Sequence, residues 1–210
     1  MDKKKILGII PARGGSKRIP KKNVTMLYGK PLIVYTIETA LEAQRKGVLD
    51  RVIVSTDDNE IAKVARKYGA EVPFIRPAEY SSDTATDADV CRHAVKELAG
   101  KGWNADVVVI LRPTQPLRFV EDIEAAVSRF FKVKCDSVRS LTKAEHHPSW
   151  MKVLKGDYAV PLLKLKKSEE KVRSQDLKPV YRLNGVVDVI DVRNLKTDSL
   201  YGKKMSYILI

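Results

Sequence analysis

The residues of this chain with the clearest chemical meaning sit in one stretch, Ile10-Pro-Ala-Arg-Gly-Gly-Ser-Lys-Arg-Ile-Pro-Lys-Lys-Asn23. Five basic side chains (Arg13, Lys17, Arg18, Lys21 and Lys22) surround the Gly14-Gly15 pair. The stretch follows the apolar run Ile6–Ile10 and precedes a helix-like segment that opens near Pro31. A strand therefore ends in a glycine turn whose backbone N–H groups can face an anion, inside a ring of fixed positive charge. That is the physics of a phosphate cradle. It is neither a Walker A loop nor a G-x-G-x-x-G turn, because the glycine spacing of both is absent. Glycine and lysine alone would equally suit a solvated basic loop.

The formal charge of +13 is concentrated at this cradle: residues 1–30 carry nine Lys or Arg against one Asp. Such a field gathers polyanions, either nucleic acid or a nucleotide triphosphate. Nucleic-acid binding calls for a basic helix face or aromatics interleaved with arginines. Only Tyr28 and Tyr35 lie near the cluster, and Tyr35 fits a helix core position. A small polyanion is the better match.

The elements that must position the cradle alternate between strand and helix. Ile6–Ile10, Val52–Val54 and Val107–Leu111 are short continuous apolar runs, expected for strands buried on both faces. Helix-period segments lie between them: Leu32, Tyr35, Thr36, Ala40, and then Ile61, Val64, Ala65. Thr86 can cap a third helix carrying Val90, Ala94, Val95 and Leu98 inward, and Phe119–Phe131 reads as a fourth. Asp57 and Asp58 suit the capping of the helix that starts near Asn59 better than metal ligation. The pattern predicts a single α/β domain over residues 1–210, Rossmann-like, with a mostly parallel sheet flanked by helices. Ligands in such sheets collect at the carboxyl ends of the strands, where the basic stretch already lies. A chain of 210 residues with 44% hydrophobic residues is large enough for a real core, and no apolar run is long enough to span a bilayer. The N-terminus does not read as a signal peptide. Cys91, read on a helix, and Cys135, read at the start of a strand, are expected as buried thiols in a reducing, cytoplasmic compartment.

Pro11-Ala-Arg-Gly-Gly-Ser-Lys-Arg-Ile-Pro-Lys-Lys-Asn23 resembles the signature of the acylneuraminate cytidylyltransferases, the CMP-sialic acid synthetases. Ser55-Thr-Asp-Asp58, Arg76-Pro-Ala-Glu79, Asp83-Thr-Ala85, Pro113-Thr-Gln-Pro-Leu-Arg118, His147-Pro148 and Asn184-Gly185 follow in the family's order, so the similarity runs from Lys5 to Tyr201. The resemblance implies a nucleotide-diphospho-sugar transferase-like fold. It also implies attack by the hydroxyl of an acidic nine-carbon sugar on the α-phosphorus of CTP, with pyrophosphate leaving. Positioning and charge neutralisation would then carry the catalysis. By the same resemblance Arg13 contacts the triphosphate and Lys22 stabilises the leaving pyrophosphate. Ala12, Gly14, Gly15, Ser16, Asn23, Arg76, Ala85 and Asp87 would bind the nucleotide, and Arg112, Gln115, Arg173, Arg182 and Asn184 the sugar.

The sugar side departs from the family pattern. Arg112 stands where a glutamine is usual and could grip the sugar carboxylate instead. Gln115 replaces a small residue, Ser174 falls where many relatives have arginine, and Asp188 replaces an aromatic. The family implies Mg²⁺ as cofactor, but its Asp-x-Asp pair would fall beyond Ile210. Asp188 and Asp191, three apart in one strand, face opposite sides and cannot chelate together. Either CTP and water hold the metal, or the tail is missing, or catalysis is weak. His93, His146 and His147 lack a third metal ligand.

From about residue 144 to 180 the α/β pattern breaks into an insertion with short strands and a Lys/Glu-rich segment, Lys164–Lys171. In the resembled family this region is a protruding arm by which two subunits embrace, which implies a homodimer. A surface loop is the alternative reading. Three functions remain open at this point: a CTP-dependent acid-sugar cytidylyltransferase, a nucleotide-binding relative that is inactive or truncated, and a basic nucleic-acid-binding protein. The aligned blocks favour the first two, with CTP and an acidic sugar as partners and neither nucleic acid nor membrane.

Overall fold

A computed structural model describes residues 3–163 and 177–210. Ten strands and four α-helices follow in the order β1 (Ile6–Pro11), β2 (Met26–Leu27), β3 (Lys30–Pro31), α1 (Leu32–Arg45), β4 (Arg51–Ser55), α2 (Asn59–Lys67), α3 (Asp87–Gly100), β5 (Val107–Ile110), α4 (Val120–Val133), β6 (Ser137–Lys143), β7 (Lys152–Lys155), β8 (Tyr158–Pro161), β9 (Tyr181–Asp191) and β10 (Met205–Leu209). The central sheet is six-stranded, in the order β10-β6-β9-β5-β1-β4. β1 pairs in parallel with β4 on one side and β5 on the other, and β5 pairs antiparallel with β9. The expected mostly parallel α/β sheet is present, with an antiparallel strand set into it.

The strands at the centre are buried on both faces, as their unbroken apolar runs require. Ile6 and Ile10 of β1, with Val107 and Val109 of β5, pack among residues of α1, α2 and α4. The alternate residues Leu7, Ile9, Val108 and Ile110 pack against Cys91, Ala94 and Leu98 of α3. Helices thus cover both faces of the sheet. Their starts are fixed by side chains that satisfy otherwise orphaned N–H groups. Asp58 accepts from the backbone of Glu60 and Ile61 at α2, and Thr86 and Asp89 form a reciprocal capping box at α3. The Asp122 carboxylate accepts from Phe119 N at α4 (2.9 Å). The capping roles expected of Asp58 and Thr86 hold, whereas Asp57, expected to share in the α2 cap, accepts from Gly14 N instead.

The chain divides into two compact units, Met1–Ser140 with Gly185–Ile208, and Leu141–Asn184 with Leu209–Ile210. The second contains the β7–β8 antiparallel hairpin, turning at Gly156, and a 3-10 turn at Pro148–Trp150. The short strands expected between residues 144 and 180 are therefore present. Leu154 and Tyr158 of this hairpin are 79% and 76% exposed, an apolar surface without cover among the described residues. Lys164–Lys171, Arg173 and Ser174 lie outside the described residues. Cys91 is buried on α3 as expected, whereas Cys135 lies between α4 and β6 and is half-buried. Burial pushes both thiols up from their usual range.

Candidate active site

β1 delivers the basic stretch to the carboxyl end of the parallel strands. Ala12 N donates to Ser55 O (3.0 Å), one step beyond the β1–β4 ladder, and the chain leaves the sheet at Arg13. Gly14 N donates to Asp57 Oδ1 (3.0 Å), and a Cβ on Gly14 would sit 2.6 Å from Asp58 Oδ2. Glycine is needed there because the carboxylate that caps α2 packs against it. Gly15 has nothing within 4 Å of a virtual Cβ, so its backbone is open to an approaching ligand. The return of the loop is pinned by buried Asn23, whose Nδ2 donates to Arg13 O (2.9 Å). Lys21 adopts a left-handed φ of 50°. Its carbonyl accepts from Val24 N (3.0 Å), and its ammonium pairs with Glu60 (2.6 Å). These contacts offset the backbone cost of that conformation and fix where Lys22 begins.

A cleft of about 560 Å³ opens beside this loop. Arg13, Ser16, Lys17, Arg18, Lys22 and Asn23 line it from the loop, and Arg76, Ala85, Asp87 and Arg112 from the rest of the first unit. Lys22 is half-buried and forms no ion pair with a described residue. Arg13 donates to Ser82 O (2.9 Å) and pairs with Asp83 (3.2 Å), which also pairs with Lys17 (2.6 Å). Lys17 and then burial are the main opposing influences on Asp83, and its carboxyl lies below the usual range.

Several expected ligand contacts are engaged within the protein instead. Ala12 is buried and does not line the cleft. Ala85 N donates to Ser82 O (3.2 Å), so that amide closes a turn. Arg76 is buried and donates to Ser81 Oγ (2.9 Å) and Ser55 Oγ (3.5 Å), with Asp57 at 3.9 Å. Burial lowers its pKa and Asp57 opposes that. It is a strut between the end of β4 and the following turn, with one edge on the cleft.

The largest correction concerns Arg112. Sequence reasoning left its guanidinium free for a sugar carboxylate, but its Nη1 bonds Asp188 (2.9 Å) and its Nη2 bonds Asp87. Burial pulls its pKa down and the two carboxylates more than reverse that, so it stays charged. With both terminal nitrogens committed, it has little left to offer a third carboxylate. Asp87 is likewise spoken for. Asp188 also accepts from Arg139 Nε (3.1 Å) and Tyr201 Oη (3.2 Å), and Arg139 lies over the Tyr201 ring at 3.8 Å. Burial, followed by Asp188, pushes the Tyr201 phenol up to about 12. Arg118 is buried and donates to Val186 O, Arg112 O and Thr36 Oγ1. Burial and then Arg112 pull its pKa down to about 10.

Gln115 does not line the cleft, and its backbone N donates to Arg112 O (3.2 Å). Gly185 follows Asn184 with φ 72°, a left-handed conformation that favours glycine, and a Cβ there would lie 3.8 Å from Arg112. Arg182 and Asn184 lie on the part of β9 that belongs to the second unit. Arg173 lies outside the described residues. Sequence reasoning missed Arg139 and Tyr201 entirely. The available signal was Asp188 itself, a charge inside the apolar run Val186-Val-Asp-Val-Ile190 that had to find cationic or hydrogen-bonding partners.

Among the described residues no group of three or more His, Cys, Asp or Glu side chains could hold a metal ion. Asp83 and Asp87 in the cleft already serve cations, and Asp188 and Asp191 have separate partners, Arg112 with Arg139 for the former and Arg193 for the latter. The side chains of the described residues do not fit a protein-built Mg²⁺ site.

Residues 7–195 match the family described as cytidylyltransferase. The chain is 36% identical to a CMP-N,N'-diacetyllegionaminic acid synthase of Legionella pneumophila, over 98% of this chain and 87% of that protein. It is 39% identical to a pseudaminic acid cytidylyltransferase of Campylobacter jejuni, over 84% of this chain and 74% of that one. An N-acylneuraminate cytidylyltransferase of Streptococcus agalactiae is 35% identical over 85% of this chain and 41% of its own length. Among solved structures, a CMP:2-keto-3-deoxy-manno-octonic acid synthetase complexed with CTP superposes with a TM-score of 0.69 at 18% identity, covering 98% of this chain and 90% of that one. A 4-diphosphocytidyl-2C-methyl-D-erythritol synthase from Anaerococcus prevotii gives a TM-score of 0.63 at 15% identity, over 98% and 89%. These two likenesses concern the fold. Family match and close relatives together make this chain an enzyme of the cytidylyltransferase family.

Proposed function

We propose that the protein transfers the cytidylyl group of CTP to an acidic nine-carbon sugar. The sugar hydroxyl forms a new bond to the α-phosphorus as the bond to the bridging oxygen breaks, and pyrophosphate leaves. One observation carries the reading: Arg13, Lys17, Arg18 and Lys22 converge on a single cleft at the carboxyl end of β1. Charge that develops on the leaving phosphates meets cations already in place, which is where such a site gains its rate. Arg13 binds and orients the triphosphate, and Lys22, free of any ion pair with described residues, neutralises the leaving group. Open backbone at Gly15 and the Ser16 side chain supply hydrogen bonds to phosphate oxygens. Asn23 and Arg76 shape the nucleotide end by holding the loop and the turn beside it.

The names of the relatives support a legionaminate, pseudaminate or N-acylneuraminate as the proposed sugar. Arg173, Arg182 and Asn184 are proposed to meet the sugar. Mg²⁺ is proposed as a companion of CTP, since no carboxylate set among the described residues holds it. A homodimer through the 144–180 region is proposed on the exposed Leu154 and Tyr158, and cytoplasmic residence on the two free cysteines. No helix of the described residues is long and apolar enough to cross a membrane.

The test is pyrophosphate release from CTP and Mg²⁺ with N-acetylneuraminate, legionaminate, pseudaminate and Kdo in turn. Release with one sugar establishes the reaction and names the substrate. Saturable CTP binding without release for any sugar would instead favour a nucleotide-binding relative that has lost catalysis.

A further inference from the structure

Asp83 occupies the position of an anion in the phosphate cradle. Its two carboxylate oxygens are divided between the cations of the basic loop: Oδ1 lies 3.2 Å from Arg13 Nη2, and Oδ2 lies 2.6 Å from Lys17 Nζ. The neighbouring Ser82 carbonyl accepts from the other terminal nitrogen of Arg13 at 2.9 Å. All four residues line the cleft, and Arg13 and Lys17 are the side chains a triphosphate would need. A bidentate acceptor between two cations reproduces the geometry by which such groups hold phosphate oxygens. The carboxylate is half exposed, so water can readily take the place of the two cations when it leaves.

We propose that Asp83 is a displaceable counter-anion, a specificity-determining residue that nucleotide phosphates must evict from Arg13 and Lys17. The inference rests on the reading that this cleft takes CTP. A triphosphate carries enough charge to replace the carboxylate on both cations. A single phosphodiester, such as the one left in the product, competes less well, so Asp83 returns to Arg13 and Lys17 once pyrophosphate departs. The same residue then raises the charge needed to enter and assists release.

The experiment is calorimetric titration of the full chain and its Asp83→Asn variant with CTP, inorganic pyrophosphate and cytidine. Asp83→Ala serves as the second variant and Glu79→Gln as a control that removes a nearby exposed charge outside the latch. Loss of two part-exposed ion pairs should tighten CTP and pyrophosphate by about 3- to 10-fold in both Asp83 variants. Cytidine, which has no phosphate, should bind unchanged, and Glu79→Gln should give a clearly smaller gain. Unchanged or weaker CTP binding in the Asp83 variants, an equal shift for cytidine, or an equal gain in Glu79→Gln would overturn the proposal. If the unaltered protein binds neither CTP nor pyrophosphate, it is the CTP reading that fails.

Discussion

Arg112 and Asp188 are joined at 2.9 Å across the antiparallel boundary between β5 and β9. The register sets Asp188 opposite Ile110, two residues before Arg112, so the arginine at the end of one strand reaches the carboxylate on the next. The structure joins in one ion pair the two residues that the resemblance had marked separately as departures. Asp188 is 1% exposed, and removing it would take from Arg139 its carboxylate partner among the described residues and from Arg112 one of its two.

Asp188→Ala is therefore expected to destabilise the fold by about 3–5 kcal/mol. Arg112→Gln should cost less, because Asp188 keeps Arg139 and Tyr201. Combining Arg112→Gln with Asp188→Ala should cost less than the sum of the single changes, by more than about 1 kcal/mol. A denaturant-unfolding cycle measures this, and strict additivity would mean the two residues are not coupled.

The contact between Gly14 and Asp58 links the cradle to the start of α2. Gly14→Ala would press a methyl group to within 2.6 Å of the capping carboxylate, so the cap or the loop must shift. A loss of about 1–3 kcal/mol is expected, with weaker CTP binding. Gly15→Ala should leave the melting temperature nearly unchanged, since its virtual Cβ meets nothing within 4 Å. Parallel melting curves decide it: equal losses at the two glycines would contradict the packing argument.

Lys22 lines the cleft and pairs with no carboxylate among the described residues, which suits the role proposed for it on a leaving group. Lys22→Ala is expected to lower kcat by roughly 10²–10³-fold while leaving the melting temperature near that of the parent. Lys22→Arg should recover part of the loss. Steady-state pyrophosphate release checks this, and a change confined to KM would recast Lys22 as a uniform binding residue.

The core and the basic loop were legible in the sequence because each is written locally. Continuous apolar runs mark β1, β4 and β5, capping residues mark α2 and α3, and glycines between cations mark the loop that leaves β1. The placement of β9 between β5 and β6 was not legible, since strand order depends on contacts between distant segments. The same limit hid the partners of Arg112 and Asp83. A motif tells which side chain could meet a ligand, but the closure of remote loops decides whether an internal carboxylate reaches it first. Asp188 was the informative exception, a charge too deeply set in an apolar strand to lack a partner.

His93 supplies an acid-side prediction. It is buried on α3 against Phe74 and Tyr80, with ring centroids 4.8 and 4.9 Å away, and its Nδ1 has no hydrogen-bond partner. Burial lowers its pKa, Glu97 and Glu79 oppose this, and Arg76 and Lys96 reinforce it. The folded state therefore binds fewer protons than the unfolded chain as pH falls through the ordinary histidine value of about 6.5. Its contribution to stability is present above that pH and is lost below it, down to the lowered folded value. His93→Phe keeps an aromatic ring and removes the titration, so its stability should fall less steeply than the parent's between about pH 6.5 and 5. Denaturant midpoints across that range provide the check, and parallel slopes for the two proteins would show that His93 does not carry the acid sensitivity.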